Sequence, residues 1–313
     1  MIVGLALLLI GANYLTEGAS AIAKRFGISE FVIGLTIVAV GTSAPEFVVS
    51  LISTFNGSTD VAIGNILGSN LFNALMILGV TALIRPIRIE RNTLSRDIPF
   101  GLLAAVVLAI SGLDAWLNGE AGIITRSEGL LMICFLIVFM VYSFITAKRD
   151  EAPDEAIETP TKKRPIWLEI VMIGGGLAGL IYGGDLFLEY AVIFARDMGM
   201  PEAVIAVTLM AGGTSMPELI TCVIAASKNK GQMALGNVIG SNISNVFLIL
   251  GTCATVSPLQ LGNILPIDLI ILVAASLIIA VTAFTFRRNE LDRAEGAIFV
   301  LIYIAYIVYL LMR

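Results

Sequence analysis

Histidine is absent from the 313 residues of this sequence, and charged residues are scarce. The lack of histidine removes the commonest zinc and haem ligand and the usual proton shuttle near neutral pH. Only 14% of the residues are charged, against roughly 25% in a soluble protein, whereas 58% are hydrophobic. One globular core cannot hide so much apolar surface, so the sequence predicts an integral membrane protein whose partner is the lipid bilayer.

Cysteine is also rare, and no strongly basic region is present. Cys134, Cys222 and Cys253 stand singly in apolar stretches without metal-ligand spacing, so we interpret them as small hydrophobic residues. The net charge of −5 is spread between loops, which argues against nucleic acid as a partner.

Ten apolar segments have the length of roughly 20 residues that a helix needs to cross a bilayer. They cover approximately residues 1–23, 31–54, 61–84, 97–115, 127–147, 166–188, 202–227, 232–256, 264–286 and 292–312. The first segment could be mistaken for a secretory signal, but Lys24 and Arg25 follow it and no basic residue precedes it. The sequence therefore predicts an all-α membrane protein with ten transmembrane helices.

The basic residues lie mostly on alternate connectors. With the amino terminus placed outside, 16 of the 19 Lys and Arg residues fall on the inner side. Because basic residues are retained in the cytoplasm, both termini are expected outside it. The compact size, without a large central domain, favours a cell (plasma) membrane.

A long internal repeat connects the two halves of the chain. Sliding the sequence by 172 residues aligns 11–86 with 183–258 without a gap, and about 28 of the 76 pairs are identical. GTSAPE at 41–46 matches GTSMPE at 213–218, GNILGSN at 64–70 matches GNVIGSN at 236–242, and Asn73 matches Asn245. The offset spans five helices, an odd number, so the second copy should cross the membrane in the opposite sense. We therefore expect two inverted five-helix repeats, 1–147 and 166–313, joined by a polar cytoplasmic linker at 148–165; such repeats build secondary transporters with a site at the midplane.

Two glutamates lie deep in predicted spans. Glu46 is about 15 residues into the second span and Glu218 about 16 into the seventh, and no Lys or Arg lies at similar depth. An ionised carboxylate there costs several kcal/mol unless it faces a cavity or a partner. We expect a bound cation to supply the missing charge. The alternative is a protonated carboxyl that bonds to a neighbouring helix.

The neighbours of these glutamates supply further oxygen atoms. Pro45 and Pro217 remove a backbone donor and free the carbonyls of Gly41 and Gly213, so each helix should kink or unwind around a cavity. Helical spacing places the following residues on shared faces: Ala39, Thr42 and Ser43 with Glu46, their repeat partners with Glu218, Ser69 with Asn73, and Ser241 with Asn245. Oxygen-only ligation favours hard cations, and calcium accepts six to eight oxygens in flexible geometry. A site charge of −2 is neutralised by one Ca²⁺ or two Na⁺, and a third Na⁺ would make exchange sensitive to voltage.

The remaining acidic residues near the membrane have simpler interpretations. Glu17 and Glu189 are related by the repeat and lie nearer the helix ends, so they are expected to be packing or interface residues. Asp60 and Glu120 lie in predicted outer loops, where ordinary solvation is expected.

The doubled blocks GTSAPE with GNILGSNLFN, and GTSMPE with GNVIGSNISN, resemble the two alpha-repeats of the sodium/calcium exchangers in the calcium/cation antiporter superfamily. The resemblance implies alternating access, with the first and sixth helices sliding across a fixed site. It also implies a cation site at Ala39, Thr42, Ser43, Glu46, Ser69, Asn73, Ala211, Thr214, Ser215, Glu218, Ser241 and Asn245, with backbone oxygen from the two alanines. Some members that co-transport potassium carry aspartate in place of Asn245, which lowers the expectation of potassium dependence.

The preferred hypothesis is a secondary-active antiporter that exchanges Ca²⁺ for Na⁺, without a cofactor and without enzymatic activity. Proton/calcium exchangers of the same superfamily have Asn and Ala where Thr42 and Ser43 stand, so the block favours sodium. A proton-driven antiporter and a cation channel remain as alternatives. An intramembrane hydrolase is disfavoured, because no Ser has an evident base. The sequence leaves the oligomeric state open.

Overall fold

The computed structural model describes residues 1–113, 122–147, 165–200, 211–262, 264–282, 285 and 289–312. The described residues are mainly helical. The helices are α1 Ile2–Phe26, α2 Glu30–Thr42, α3 Ala44–Phe55, α4 Thr59–Ile84, α5 Thr93–Gly112, α6 Arg126–Ala147, α7 Ile166–Asp197, α8 Ala211–Gly213, α9 Met216–Ser227, α10 Gly231–Val256, α11 Pro266–Thr282 and α12 Arg293–Met312. Single π-helical stretches interrupt α2 at Gly34–Val38, α4 at Phe72–Ile77 and α10 at Asn245–Leu250, and α5 begins with another at Thr93–Asp97.

Seven of these helices are long and apolar enough to cross a membrane, and the pair α2 and α3 counts as an eighth if it is one bent span. Two shorter apolar helices, α9 and α11, complete the set within the described residues. The chain is therefore an all-helical membrane protein. The predicted linker at 148–165 lies outside the described residues except for Pro165, and so do Glu120 and the start of the predicted span at 202–227.

In the part of the chain that the structure describes, four two-residue strands join connectors between helices. β1 (Ile87–Arg88) pairs antiparallel with β4 (Glu290–Leu291), and β2 (Ile123–Ile124) pairs with β3 (Leu259–Gln260). Each pair joins two connectors that the basic-residue pattern assigns to the same side of the membrane. The strands thus hold the connectors at each end of the helix bundle together.

The centre of the bundle is formed by α4 and α10. Their apolar windows are 78% and 89% buried inside the protein, whereas those of α6, α7 and α12 are only 28% buried. Glycine permits this central position: a Cβ atom on Gly236 would lie 2.2 Å from the carbonyl oxygen of Phe31, and one on Gly240 would lie 2.2 Å from that of Leu35. Backbones that approach so closely require small residues at the contact. The polar motif carried by α4 and α10 consequently faces protein rather than lipid.

The second span breaks at the GTSAPE block. α2 and α3 differ in direction by 45°, and Ser43 between them has φ −80° and ψ 10°. In the second copy Ser215 has φ −89° and ψ 10°, just before α9. Pro45 and Pro217 occupy the first turns of α3 and α9, where a missing N–H is tolerated. The predicted kink is confirmed at the first block, and the second has the same backbone conformation.

The outer pair α1 and α7 packs backbone against backbone. A Cβ atom on Gly4 would lie 2.6 Å from the Phe187 nitrogen, and one on Gly176 would lie 2.6 Å from the Leu15 nitrogen. At one end of this pair, Arg25 Nη2 contacts Glu169 Oε1 at 3.0 Å. About two turns further toward the middle of the helix, α1 is joined to the connector before α10, because Lys228 Nζ lies 2.9 Å from Glu17 Oε1. Glu17 is therefore an interface residue, as predicted.

Helix bounds differ most from the predicted spans in α7. It continues to Asp197, nine residues beyond the predicted end, and Gly199 with φ +76° follows it. The predicted end follows from the apolar length that fits a bilayer, whereas the helix extends into a polar turn-forming segment. Helices need not end where the hydrocarbon ends.

Candidate cation-binding site

Glu46 and Glu218 are both enclosed by protein: Glu46 is 0% exposed and Glu218 is 1% exposed. Each lies in the first turn of a helix, Glu46 in α3 and Glu218 in α9. The positive end of a helix dipole favours negative charge at this position, and the carbonyls that end α2 lie just before the same break. The break between α2 and α3 therefore places the Glu46 carboxylate close to backbone oxygens at the end of α2.

Serines from opposite motif copies hold the two carboxylates. Ser215 Oγ donates to Glu46 Oε1 at 2.7 Å, and Ser43 Oγ donates to Glu218 Oε1 at 2.9 Å. Ser43 lies three residues before Glu46 and Ser215 three residues before Glu218, so each carboxylate is bonded to the break of the other copy. The two copies thus converge on one buried acidic site.

Residues of α4 and α10 extend this site. Ser69 Oγ donates to Glu46 Oε1 at 3.4 Å, whereas its counterpart Ser241 donates to the Ala39 carbonyl oxygen at 3.5 Å. Thr42 Oγ1 also approaches the Ala39 oxygen, at 3.4 Å. Ala39, Ser69 and Ser241 are fully buried. The Ala39 carbonyl oxygen therefore lies among the polar groups of the cluster.

Four oxygen acceptors at matched positions have no hydrogen-bond partner among the described residues. They are Glu46 Oε2, Glu218 Oε2, Asn73 Oδ1 and Asn245 Oδ1. Buried polar atoms without partners are rare in folded proteins, because each one costs free energy. These four acceptors, contributed in pairs by the two motif copies, are therefore candidate cation ligands.

The composition of the cluster limits which cation it suits. Within the described residues no group of three or more His, Cys, Asp and Glu side chains could hold a metal ion. Nor does a Lys or Arg of the described part form an ion pair with Glu46 or Glu218. The site consists of two carboxylates surrounded by neutral hydroxyl, amide and carbonyl oxygens, a donor set that suits hard cations.

The structure brings the predicted set together with few exceptions. Hydrogen bonds join Ser69 and Ser215 to Glu46, and Ser43 to Glu218. Thr42 and Ser241 both contact the Ala39 oxygen, and Asn73 and Asn245 are enclosed, at 1% and 0% exposure. Thr214 is only partly buried, and Ala211 begins α8 three residues before it.

Sequence reasoning assigned no role to four asparagines of the repeated GN and SN pairs. Asn70 Nδ2 donates to the Asn242 carbonyl at 3.2 Å, and Asn242 Nδ2 donates to the Asn70 carbonyl at 3.3 Å. Asn65 and Asn237 bind threonines of the opposite copy. Their identity at an offset of 172 residues was the available signal, because polar residues conserved between two buried helices must find partners.

Comparison with known proteins places the chain in a single family. The sequence profile of the sodium/calcium exchanger protein family matches residues 1–145 and 168–312. The chain is 34% identical to the sodium/calcium exchanger MaX1 of Methanosarcina acetivorans, over 99% of this chain and 97% of that protein. It is 32% identical to the inner membrane protein YrbG of Escherichia coli, over 95% of this chain and 91% of that protein.

A solved structure shares the fold. The sodium-calcium exchanger NCX_Mj, soaked with zero Na⁺ and Ca²⁺, superimposes with a TM-score of 0.83 at 30% sequence identity, covering 99% of this chain and 97% of that one. The same exchanger soaked with 10 mM Na⁺ and 10 mM Sr²⁺ gives a TM-score of 0.82. These matches extend over both halves of the chain and agree with the resemblance carried by the two motif copies. The chain belongs to the sodium/calcium exchanger family, whose members are membrane transporters rather than enzymes.

Proposed function

We propose that this protein is a secondary-active antiporter that exchanges Ca²⁺ for Na⁺ across the membrane by alternating access. Membership of the exchanger family supports a cation/Ca²⁺ antiporter, and the proposal adds the identity of the driving ion. The ions are substrates, bound in turn at one site and released on either side.

One observation carries the proposal: two enclosed carboxylates, one from each motif copy, each have an oxygen without a partner among the described residues. A dry site with two negative charges is costly unless a cation enters it. One Ca²⁺ or two Na⁺ would balance those charges equally well, so either substrate could make the site neutral. Such equivalence is the requirement for exchange through a shared site.

We propose that the ligands are the twelve predicted residues. Glu46 and Glu218 supply charge, Ser43, Ser69, Ser215, Ser241, Thr42 and Thr214 supply hydroxyl oxygens, Asn73 and Asn245 supply amide oxygens, and Ala39 and Ala211 supply backbone carbonyls. The hydrogen bonds that join Ser43, Ser69 and Ser215 to the glutamates, and Ser241 to the Ala39 carbonyl, support this assignment. A third Na⁺ in this cluster would carry a net charge across the membrane, so exchange should be electrogenic.

The proposed architecture is ten transmembrane helices in two inverted repeats, 1–147 and 166–313, with a linker at 148–165. The seven long apolar helices, the bent pair and the two shorter ones are compatible with ten spans. Hydrogen bonds that recur with the two copies exchanged support a two-fold relation between the halves: Ser43 with Glu218 and Ser215 with Glu46. α1 and α7, packed through glycine, are the pair proposed to slide.

We further propose a plasma-membrane location with both termini outside the cytoplasm. Arg25 lies in the last turn of α1, and Lys228 and Lys230 contact α1 at Glu17 and at the Thr16 carbonyl. The distribution of Lys and Arg assigns all three basic residues to the cytoplasmic side. Cysteine labelling of the two termini in whole cells would test this orientation. Both termini should react with a reagent that cannot cross the membrane.

The function is tested with purified protein in liposomes. Vesicles loaded with Na⁺ and diluted into sodium-free medium with radioactive calcium should accumulate calcium, and vesicles without a sodium gradient should not. A pH gradient at equal Na⁺ is the matched control. Uptake driven only by the pH gradient would overturn sodium coupling in favour of protons, and uptake with no counter-ion gradient would indicate a channel.

Electrogenicity is measured in the same vesicles. Valinomycin and a potassium gradient set an inside-positive or inside-negative voltage during sodium-driven calcium uptake. If three Na⁺ leave for each Ca²⁺ that enters, an inside-positive voltage should accelerate uptake, because one net positive charge leaves the vesicle. Equal rates at both voltages would establish electroneutral exchange instead.

A further inference from the structure

Two asparagines outside the predicted ligand set contact that set across the two motif copies. Thr42 Oγ1 donates to Asn237 Oδ1 at 3.3 Å, and Thr214 Oγ1 donates to Asn65 Oδ1 at 3.5 Å. Each bond joins a threonine of one GTS block to an asparagine of the other copy's GN pair. The same contact occurs twice, with the roles of the two copies exchanged. This recurrence argues against a chance contact.

The amide orientation of each asparagine is determined by its nitrogen. Asn65 Nδ2 donates to Ser50 Oγ at 3.0 Å and to the Glu46 carbonyl at 3.3 Å. Asn237 Nδ2 donates to Cys222 Sγ at 3.3 Å. An amide carries donors at one end and an acceptor at the other, so a nitrogen engaged in this way directs the oxygen toward the threonine.

The threonine hydroxyl has one proton and two lone pairs. A hydroxyl whose proton points to an asparagine directs its lone pairs elsewhere, and a lone pair is what a cation binds. Without the asparagine, the Thr42 hydroxyl has a competing acceptor, the Ala39 carbonyl at 3.4 Å. Donation to Ala39 would occupy an oxygen of the site and would rotate the lone pairs of Thr42.

We infer that Asn65 and Asn237 are positioning residues of the cation site: each accepts the proton of a threonine from the opposite copy and so fixes that hydroxyl as an acceptor. The inference rests on the proposed function, because it assumes that Thr42 and Thr214 bind the transported ion. It adds a layer of residues beyond the ligands. Outer-layer partners of this kind typically change metal affinity by roughly 10- to 100-fold when they are removed.

The side chain that accepts a hydrogen bond from the asparagine nitrogen, here called its anchor, is Ser50 for Asn65 and Cys222 for Asn237. Ser50 and Cys222 occupy equivalent positions in the repeat, and sulfur is a weaker hydrogen-bond acceptor than oxygen. Cys222 Sγ is itself held by the Ala234 carbonyl at 3.6 Å and is fully buried. The Asn237 amide therefore has the weaker anchor of the two, although Asn237 is fully buried.

A double-mutant cycle tests the inference. Thr42→Val and Asn237→Leu are made singly and together, and the KM for Ca²⁺ and the maximal rate are measured in sodium-loaded liposomes. Each single change should raise KM about 10-fold with a smaller effect on the maximal rate. The double variant should resemble the worse single variant, because both changes remove one interaction; the coupling should be about threefold or more.

The control is the cycle of Thr42→Val with Asn65→Leu, which combines the same substitutions at positions that share no hydrogen bond. Here the KM effects should multiply. Equal, multiplicative behaviour in both cycles would overturn the positioning role, while sodium-driven uptake by the unaltered protein would leave the proposed function intact. If a variant transports too slowly to measure, calcium-dependent protection against thermal unfolding in detergent provides the same cycle as a binding measurement.

Discussion

The two halves of the candidate site are made of the same motif, yet they hold their side chains differently. Glu46 accepts hydrogen bonds from Ser215 and Ser69, whereas Ser241, the counterpart of Ser69, donates to Ala39 instead of to Glu218. Asn245 is tied to Asn70 by a 3.0 Å bond, whereas both amide atoms of Asn73 lack a partner among the described residues.

This difference shows what a duplicated motif does and does not determine. The repeat determines which atoms line the site, because the same oxygens recur in both copies. The number of hydrogen bonds that each atom makes varies, because the helices around the two copies are not identical in sequence. Atoms that already make hydrogen bonds are held in place by them. Atoms without partners are those that a cation can bind without displacing another contact.

The largest expected effect is a loss of calcium transport, and it should be the same for the glutamate of either half. Replacing either carboxylate, by Glu46→Gln or Glu218→Gln, should reduce sodium-driven calcium uptake at least about 100-fold, equivalent to about 2.7 kcal/mol. The reason is that the site charge falls from −2 to −1, so one Ca²⁺ is no longer balanced. Uptake into liposomes is the measurement.

Thermal unfolding in detergent without ions is the control for the glutamine variants. Each should unfold at or above the temperature of the original protein, because a neutral amide costs less to bury than a charge. If only one of the two glutamines abolished uptake, the shared site would be refuted in favour of a site on one copy.

The next effect is on stability, and it should differ between the equivalent asparagines of the two halves, Asn245 and Asn73. Asn245→Leu should lower the free energy of unfolding by about 1–3 kcal/mol, because Asn70 Oδ1 loses its donor and stays buried. Asn73→Leu removes two atoms without partners, so it should leave stability unchanged or raise it. Denaturation in sodium-free and calcium-free detergent compares the two variants, and equal losses would contradict the unequal bonding of the two amides.

A smaller effect concerns the serines. Ser43→Ala should raise the KM for Ca²⁺ more than Ser215→Ala, by roughly threefold, since Glu46 retains Ser69 and one neutral hydrogen bond contributes about 0.5–1.5 kcal/mol. The comparison is made in the same liposome assay at fixed sodium. A larger effect of Ser215→Ala would mean that the bond from Ser69, at 3.4 Å, does not hold Glu46.

The smallest effect, a change in KM for Ca²⁺, is expected when the anchor of one asparagine is replaced by that of the other. Cys222→Ser gives Asn237 the anchor that Asn65 has, and Ser50→Cys does the reverse. We expect KM for Ca²⁺ to fall in the first variant and to rise in the second, each within about twofold, because a hydroxyl is a better acceptor than a thiol. Changes in the same direction would show that the two anchors do not act through equivalent asparagines.

Much of this arrangement was predictable from the sequence. Glu46 and Glu218 were identified because charge inside an apolar segment has few explanations, and the kink was identified because Pro45 removes a backbone donor. The end of α7 was not predictable, since hydropathy indicates which residues suit the membrane and not where the helix ends. Nor were the roles of Asn65 and Asn237, because a hydrogen bond between residues 195 positions apart, such as that from Thr42 to Asn237, depends on how the copies pack.

The most direct test of the account is equilibrium binding of radioactive calcium to the purified protein. We expect one Ca²⁺ per chain, displaced by Na⁺ with a Hill coefficient above one, and loss of this binding in both Glu46→Gln and Glu218→Gln. Calcium binding that Na⁺ does not displace, or that survives either substitution unchanged, would contradict a single site shared by the two ions and built from both halves of the chain.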